Sequence, residues 1–206
     1  FASFIVLRLN VKGLVKISFF ILVGYWLLLL SYGLYSGQDP YSLKYNLILV
    51  IDSFLLGESH LYGGTGIQFD PEGLLSTIPS SITVILGFLV GTMIKTTEDQ
   101  AENCKRMLIL GSLLVIIGWI WGIFFPINKQ LWTSSYVLYT AGIATATLSS
   151  MIWLVDVLGY KKYIAQGGDF GGTICTWLAY DFPELLAGIH INILITRHPD
   201  LSLIHI

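Results

Sequence analysis

The sequence predicts an all-α polytopic membrane bundle of four transmembrane helices plus a helix stub, followed by a short strand-turn-helix-strand segment. Three observations carry that prediction. Of 206 residues, 54% are hydrophobic and 12% charged, about half the charged share of an ordinary soluble domain; mean hydropathy is +0.73. Four apolar runs, 17–35, 74–94, 107–125 and 131–155, contain no Asp, Glu, Lys or Arg, and each approaches the roughly 20 residues that a spanning helix needs. Near Tyr160 the character changes, and Gly167-Gly168-Asp169-Phe170-Gly171 follows, a turn sequence at home in soluble α/β enzymes.

The chain opens on a short apolar stub, Phe1 to Leu7, that ends at Arg8 and reads as the tail of a helix begun upstream. A signal peptide does not fit, because the run Ile17 to Tyr35 exceeds an apolar core of about 7–15 residues and no small-residue cleavage site follows it. Backbone amides in hydrocarbon must be satisfied within their own segment, so each of the four runs is expected to be a helix.

Basic residues set the expected orientation. Arg8, Lys12 and Lys16 precede the first run; Lys95, Lys105 and Arg106 join the second to the third; Lys161 and Lys162 follow the fourth. Only Lys44 and Lys129 lie on the opposite side, which places loops 36–73 and 126–130 outside the cytoplasm. Trp119, Trp121 and Trp132 then gather at the outer boundary and Trp153 at the inner one. Gly87 with Gly91, and Gly118 with Gly122, have the four-residue spacing that lets helix backbones approach closely. Ser76, Thr77, Ser80, Ser81 and Thr83 surround Pro79, where hydroxyls can satisfy carbonyls freed by the proline; the alternative is a polar cavity wall.

Loop 36–73 carries Asp39, Asp52, Glu58, His60, Asp70 and Glu72, and within it Leu47 to Ile51 is too short to span and reads as an interfacial or re-entrant helix. Gly63-Gly64-Thr65-Gly66 lacks a preceding strand and a following Lys, so it is a turn rather than a phosphate loop. Asp70, with Pro71 and Glu72 behind it, equally suits an N-cap of the second span. A net charge of −2 gives no reason to expect nucleic acid as a partner. Cys104 and Cys175 form neither a disulfide framework nor a metal site and read as ordinary thiols.

Three stretches, Asp52-Ser-Phe-Leu-Leu-Gly-Glu-Ser-His60-Leu-Tyr62, Phe69-Asp-Pro-Glu-Gly-Leu-Leu-Ser-Thr-Ile-Pro79 and Pro126-Ile-Asn-Lys-Gln-Leu-Trp132-Thr-Ser-Ser-Tyr136, resemble the heparan-α-glucosaminide N-acetyltransferase family and its bacterial relatives. The resemblance runs over about residues 1–160. It implies a multi-pass enzyme of a bacterial cytoplasmic membrane that moves acetyl from acetyl-CoA to a terminal amino sugar, with membrane lipid around it and no metal. His60, Asp70, Glu72, Asn128 and Lys129 are then candidates for an outer sugar or cofactor site, though His60, a lone histidine beside an aromatic, reads first as a loop-anchoring hydrogen-bonder. The family's catalytic histidine sits in an early loop ahead of the matched region, so this chain is expected to be an inactive piece. A transporter-like or structural bundle is the alternative.

After the fourth span, Lys162 to Gln166 reads as a strand, Thr173 to Tyr180 as a helix and Leu186 to Ile193 as a second strand. Tyr163-Ile-Ala-Gln-Gly-Gly-Asp-Phe-Gly171 and Thr176-Trp-Leu-Ala-Tyr-Asp-Phe-Pro-Glu184 resemble epoxide hydrolases of the α/β-hydrolase fold. That implies Asp169 as the nucleophile on an epoxide carbon and the Phe170 amide in the oxyanion site. Phe170 stands where a Trp is usual, and neither His190 nor His198 matches the catalytic histidine, so Asp169 is expected to be inactive.

The expected organisation is a transmembrane acyltransferase-like region 1–157, a hydrolase-like fragment 158–200 and a tail. Leu201 to Ile206 resembles one reading frame of a sequencing-library adapter, and Leu158-Gly-Tyr-Lys-Lys-Tyr163 suits both resemblances. Together they predict a chimera of two coding fragments, with a real fusion as the rival.

Overall fold

The computed structural model describes residues 2–64 and 66–192, and the chain divides into two compact units, Phe1–Trp153 and Leu154–Ile206. The first is helical. A short α1 (Ala2–Arg8) precedes α2 (Val11–Ser36); α3 (Leu47–Leu56) lies in the long connection to α4 (Thr77–Thr96); α5 (Gln100–Trp121) and α6 (Ser134–Ile152) complete it, and the chain continues into a π-helical turn, Trp153–Val157. Among the described residues four helices are long and apolar enough to cross a membrane, and the chain is an integral membrane protein.

Polar ends lengthen these helices beyond their apolar runs. The Asn10 side chain accepts the Gly13 N–H at 2.9 Å and starts α2 six residues before the run, so Lys12 and Lys16 become helical. Asp99 accepts from the amides of Ala101 and Glu102, and Arg106 pairs with Glu102 one turn on, which brings α5 forward to Gln100. At the other end α5 stops at Trp121 rather than Phe125, and α6 starts at Ser134 rather than Leu131. Residues 122–133 instead form a folded loop. The expected interfacial helix is α3, extended to Leu56 and capped by Asn46.

Glycine spacing divides between the two pairs. Carbon added at Gly142 would sit 2.6 Å from both Gly111 O and Val115 N, and at Gly118 2.6 Å from Tyr139 N, so α5 and α6 pack backbone to backbone. Gly87 and Gly91 have nothing within 4 Å. The close approach expected of that pair is therefore absent among the described residues, because the facing positions of α6 leave a groove beside them.

Two apolar clusters organise the unit. Ile5, Leu14, Leu22, Ile82, Ile85 and Val137 join α1, α2, α4 and α6. Tyr25, Leu29, Ile48, Phe69, Phe125 and Leu131 pin α3 and both connecting loops onto α2. This second cluster positions the candidate site.

The second unit has β1 (Tyr163–Gly167), α7 (Phe170–Asp181) and β2 (Leu186–Ile191). The strands pair in parallel, Tyr163 opposite Leu186 and Gly167 opposite Ile191, which requires the crossover that α7 supplies. β2 ends two residues before the expected Ile193, and Ile193, His198 and the tail 201–206 lie outside the described residues.

Candidate polar cavity at the loop-bundle junction

Two loops meet over the start of α4. In the first, Phe69 is fully buried and its N–H donates to Tyr62 O at 3.0 Å. The Asp70 carboxylate accepts the Glu72 N–H at 2.9 Å, and the Gly73 N–H returns to Asp70 O. This is an isolated turn, and α4 begins only at Thr77. Asp70 therefore does not cap the span: residues 73–76 intervene as turns, because the Gly73 carbonyl collects the Thr77 N–H (3.2 Å), Ser76 Oγ (3.0 Å) and Thr77 Oγ1 (2.9 Å).

The second loop is held from several sides. Buried Thr133 donates its hydroxyl to Pro126 O at 2.9 Å and accepts the Asn128 N–H at 3.0 Å. Asn128 Oδ1 accepts the Gln130 N–H, Tyr25 donates to Leu131 O at 2.7 Å, and Ser134 donates to Leu22 O. Between these anchors Trp132 adopts φ 47°, a left-handed conformation costly for a bulky side chain and usually retained only where surroundings over-determine it. Its ring stacks edge-on against Tyr136 at 5.6 Å.

The result is a cavity of about 220 Å³ lined by Pro71, Glu72, Ser76, Thr77, Ser80 and Trp132. The indole Nε1–H of Trp132 is buried and meets no acceptor among the described residues. A buried donor left unpaired is unfavourable by about 1–3 kcal/mol. With one carboxylate, three hydroxyls and one indole, the cavity can hold a small polyhydroxylated ring and bind a cation at Glu72. Its size is below the roughly 300 Å³ of drug-sized sites, which favours a single ring.

Of the residues singled out from sequence, Glu72 lines this cavity. Asp70 supports the turn beneath it. Asn128 spends its carbonyl on the loop, and exposed Lys129 gives its backbone carbonyl to the Trp132 N–H. His60 sits exposed on the single turn Glu58–His60, with Nδ1 3.3 Å from Ser59 Oγ. Among the described residues no group of three or more His, Cys, Asp or Glu is gathered for a metal.

Sequence reasoning passed over Asp52. It is 1% exposed; Oδ1 accepts the Leu75 N–H at 3.4 Å, and Oδ2 is buried without a hydrogen-bond partner among the described residues. The available signal was a carboxylate inside the apolar stretch Leu47–Leu56. Burial pushes its pKa up from 3.8, the amides of Leu75 and Leu74 oppose that, and the Asp70 charge adds to it.

A raised native pKa means the folded chain keeps a proton that the unfolded chain has lost. Stability from this group is then present below pH 3.8 and declines as pH rises through the native value. Asp52→Asn, which keeps the acceptor and removes the charge, is expected to raise the thermal midpoint in detergent at neutral pH. It should also flatten the midpoint's fall between acid and neutral pH; an unchanged slope would refute the assignment.

In the second unit Asp169 takes φ 53° and ψ −127° between β1 and α7, and a Cβ at Gly167 would collide with the Gly171 backbone. This is a strained strand-to-helix turn that places the carboxylate at a helix start, with the Phe170 amide opening α7. His190 lies exposed on β2 opposite Gln166, and none of the described histidines hydrogen-bonds Asp169.

No family model matches the chain. Over 124 residues it is 33% identical to the heparan-alpha-glucosaminide N-acetyltransferase of Mus musculus and 32% identical to that of Homo sapiens, in each case over 53% of this chain. The match reaches 19% of either transferase, so the chain spans about a fifth of their length. A separate 39 residues, 19% of this chain, are 51% identical to a putative epoxide hydrolase of Stigmatella aurantiaca (strain DW4/3-1) and cover 9% of that protein. Both resemblances read from the residues are therefore present.

Proposed function

We propose that the helical unit works in a membrane acetyltransferase that moves acetyl from acetyl-CoA to the amino group of a terminal amino sugar, and that the cavity beside Trp132 receives the sugar ring. The observation that carries this reading is the convergence of Glu72, three hydroxyls and the Trp132 indole in one small cavity. An indole face suits the C–H face of a sugar ring, the three wall hydroxyls, whose protons go to backbone carbonyls, accept hydrogen bonds from the sugar's hydroxyls, and a carboxylate pairs with the ammonium that becomes the attacking amine. In that transfer the bound ammonium first gives one proton to water or the Glu72 carboxylate, an amide bond forms as the thioester carbon–sulfur bond breaks, and the nitrogen's second proton goes to the thiolate, which leaves as CoA. Similarity to the N-acetyltransferases supports the reaction class.

The loops that build the cavity, 36–73 and 126–130, lie in this reading on the non-cytoplasmic face of a bacterial cytoplasmic membrane, as the basic residues of the other loops favour. Calorimetric titration of the chain in detergent with methyl glucosaminide and methyl glucoside tests the site. The glucosaminide should bind at least tenfold more tightly, since only it offers a cation to Glu72. Equal affinities would remove the proposal.

The strained backbone of Asp169 favours a second reading for residues 158–192, a nucleophile turn of epoxide-hydrolase type. Here Asp169 Oδ would attack an epoxide carbon, break the ring carbon–oxygen bond to give an alkoxide that takes a proton from solvent water, and leave an alkyl ester on the enzyme. Intact-mass analysis after incubation with styrene oxide decides it: an adduct present in the native chain and lost in Asp169→Asn supports the reading, and no adduct ends it.

A further inference from the structure

The geometry points to Asp52 as a positioning residue that holds the hydroxyl wall of the Trp132 cavity in place from outside it, an inference that rests on the acceptor-site reading above. Asp52 lies on α3 and lines no part of the cavity. Its Oδ1 accepts the Leu75 N–H at 3.4 Å, across 23 residues. Its Oδ2 packs so closely on Gly73 that a Cβ there would land on it.

Gly73 is the hub of the wall. Its carbonyl accepts from Ser76 Oγ, Thr77 Oγ1 and the Thr77 N–H, and these two side chains then border the cavity with Glu72. The segment has no other side-chain cap, for Ser76 itself is helical in backbone and makes no capping bond. Buried Asp52 thus takes the place of an N-cap from a different element. It fixes Gly73 and Leu75, they fix Ser76 and Thr77, and a hydroxyl wall set to within a fraction of an ångström is what sugar recognition requires.

The unpaired Oδ2 has a further consequence. It is buried against Gly73 with no hydrogen-bond partner among the described residues, so positions 52 and 73 should be energetically coupled although neither touches the ligand.

The test uses the whole chain in detergent with methyl glucosaminide as probe, together with hydrogen exchange at the amides of residues 75–77. Asp52→Asn, which preserves the acceptor, should bind within threefold of the native chain. Asp52→Leu should bind at least tenfold more weakly, with tenfold faster exchange at 75–77. Gly73→Ala should cost tenfold alone and less than threefold in an Asp52→Ala background, where the blocking oxygen is gone. Should Asp52→Leu fail to fold, this 52/73 cycle carries the test.

Native affinity in Asp52→Leu, alongside lost affinity in Glu72→Gln, overturns the positioning role and leaves the acceptor site standing. If the native chain binds no glucosaminide, the acceptor reading falls; the exchange rates then decide whether Asp52 holds the wall, and unchanged exchange in Asp52→Leu overturns it.

Discussion

Gly142→Ala is expected to destabilise the bundle by about 1–3 kcal/mol, the usual range for overpacking, while Gly91→Ala is neutral or stabilising. Both place one methyl group in an apolar helix, and both gain about 1 kcal/mol of helix propensity over glycine. The difference lies in what the methyl meets. At Gly142 it meets Gly111 O and Val115 N, each 2.6 Å away. These are backbone atoms of a facing helix, which cannot swing aside as a side chain would, so α5 and α6 must separate along their length. At Gly91 it meets nothing within 4 Å. Thermal unfolding in detergent measures both, and equal shifts would mean that the α5–α6 contact is not a close backbone interface.

Glu72→Gln is expected to weaken methyl glucosaminide binding ten- to hundredfold and leave methyl glucoside unaffected. A hydrogen bond to a charged group contributes about 1.5–3 kcal/mol, and only the amino sugar supplies the charge. Trp132→Ala should weaken both sugars, because the indole surface that lines the cavity serves any pyranose. The pair of variants therefore separates amine recognition from ring recognition. A uniform loss in Glu72→Gln would show that the carboxylate shapes the cavity rather than selecting the amine. Thermal midpoints of both variants check that the loop survives, since Thr133, Asn128 and Tyr25 anchor it independently of Glu72.

Much of the bundle was legible because lipid imposes a simple rule: long uncharged runs must be helices. The errors sat where that rule ends. Leu131 to Thr133 and Gly122 to Phe125 are as apolar as a span, yet buried hydroxyls of Thr133 and Ser135 and the Tyr25 hydroxyl hold them as a loop. Local hydropathy has no access to those partners, which come from α2 and from the far side of the loop. Asp70 misled for a related reason: its turn-forming bond to Glu72 is what a cap would make, but the helix starts seven residues later.

Glu72 was legible as a candidate and Asp52 was not. A carboxylate beside Pro71 in an outer loop announces itself; one inside Leu47–Leu56 looks like a helix with a polar side, and its importance depends on Gly73, 21 positions away. Likewise the four-residue glycine spacing occurs twice, but of its four glycines only Gly118 meets a facing helix.

The sequence by itself determined that the chain is a membrane protein with four candidate spans among the described residues, that its character changes near Tyr160, and which two families its segments resemble, because hydropathy and short motifs are local properties. Tertiary structure alone decided that Glu72, Ser76, Thr77, Ser80 and Trp132 share a cavity, that Trp132 is held in a strained backbone, and that Asp52 stands behind the wall. These depend on which loop folds over which helix, and the buried contacts that settle it join residues up to 112 positions apart.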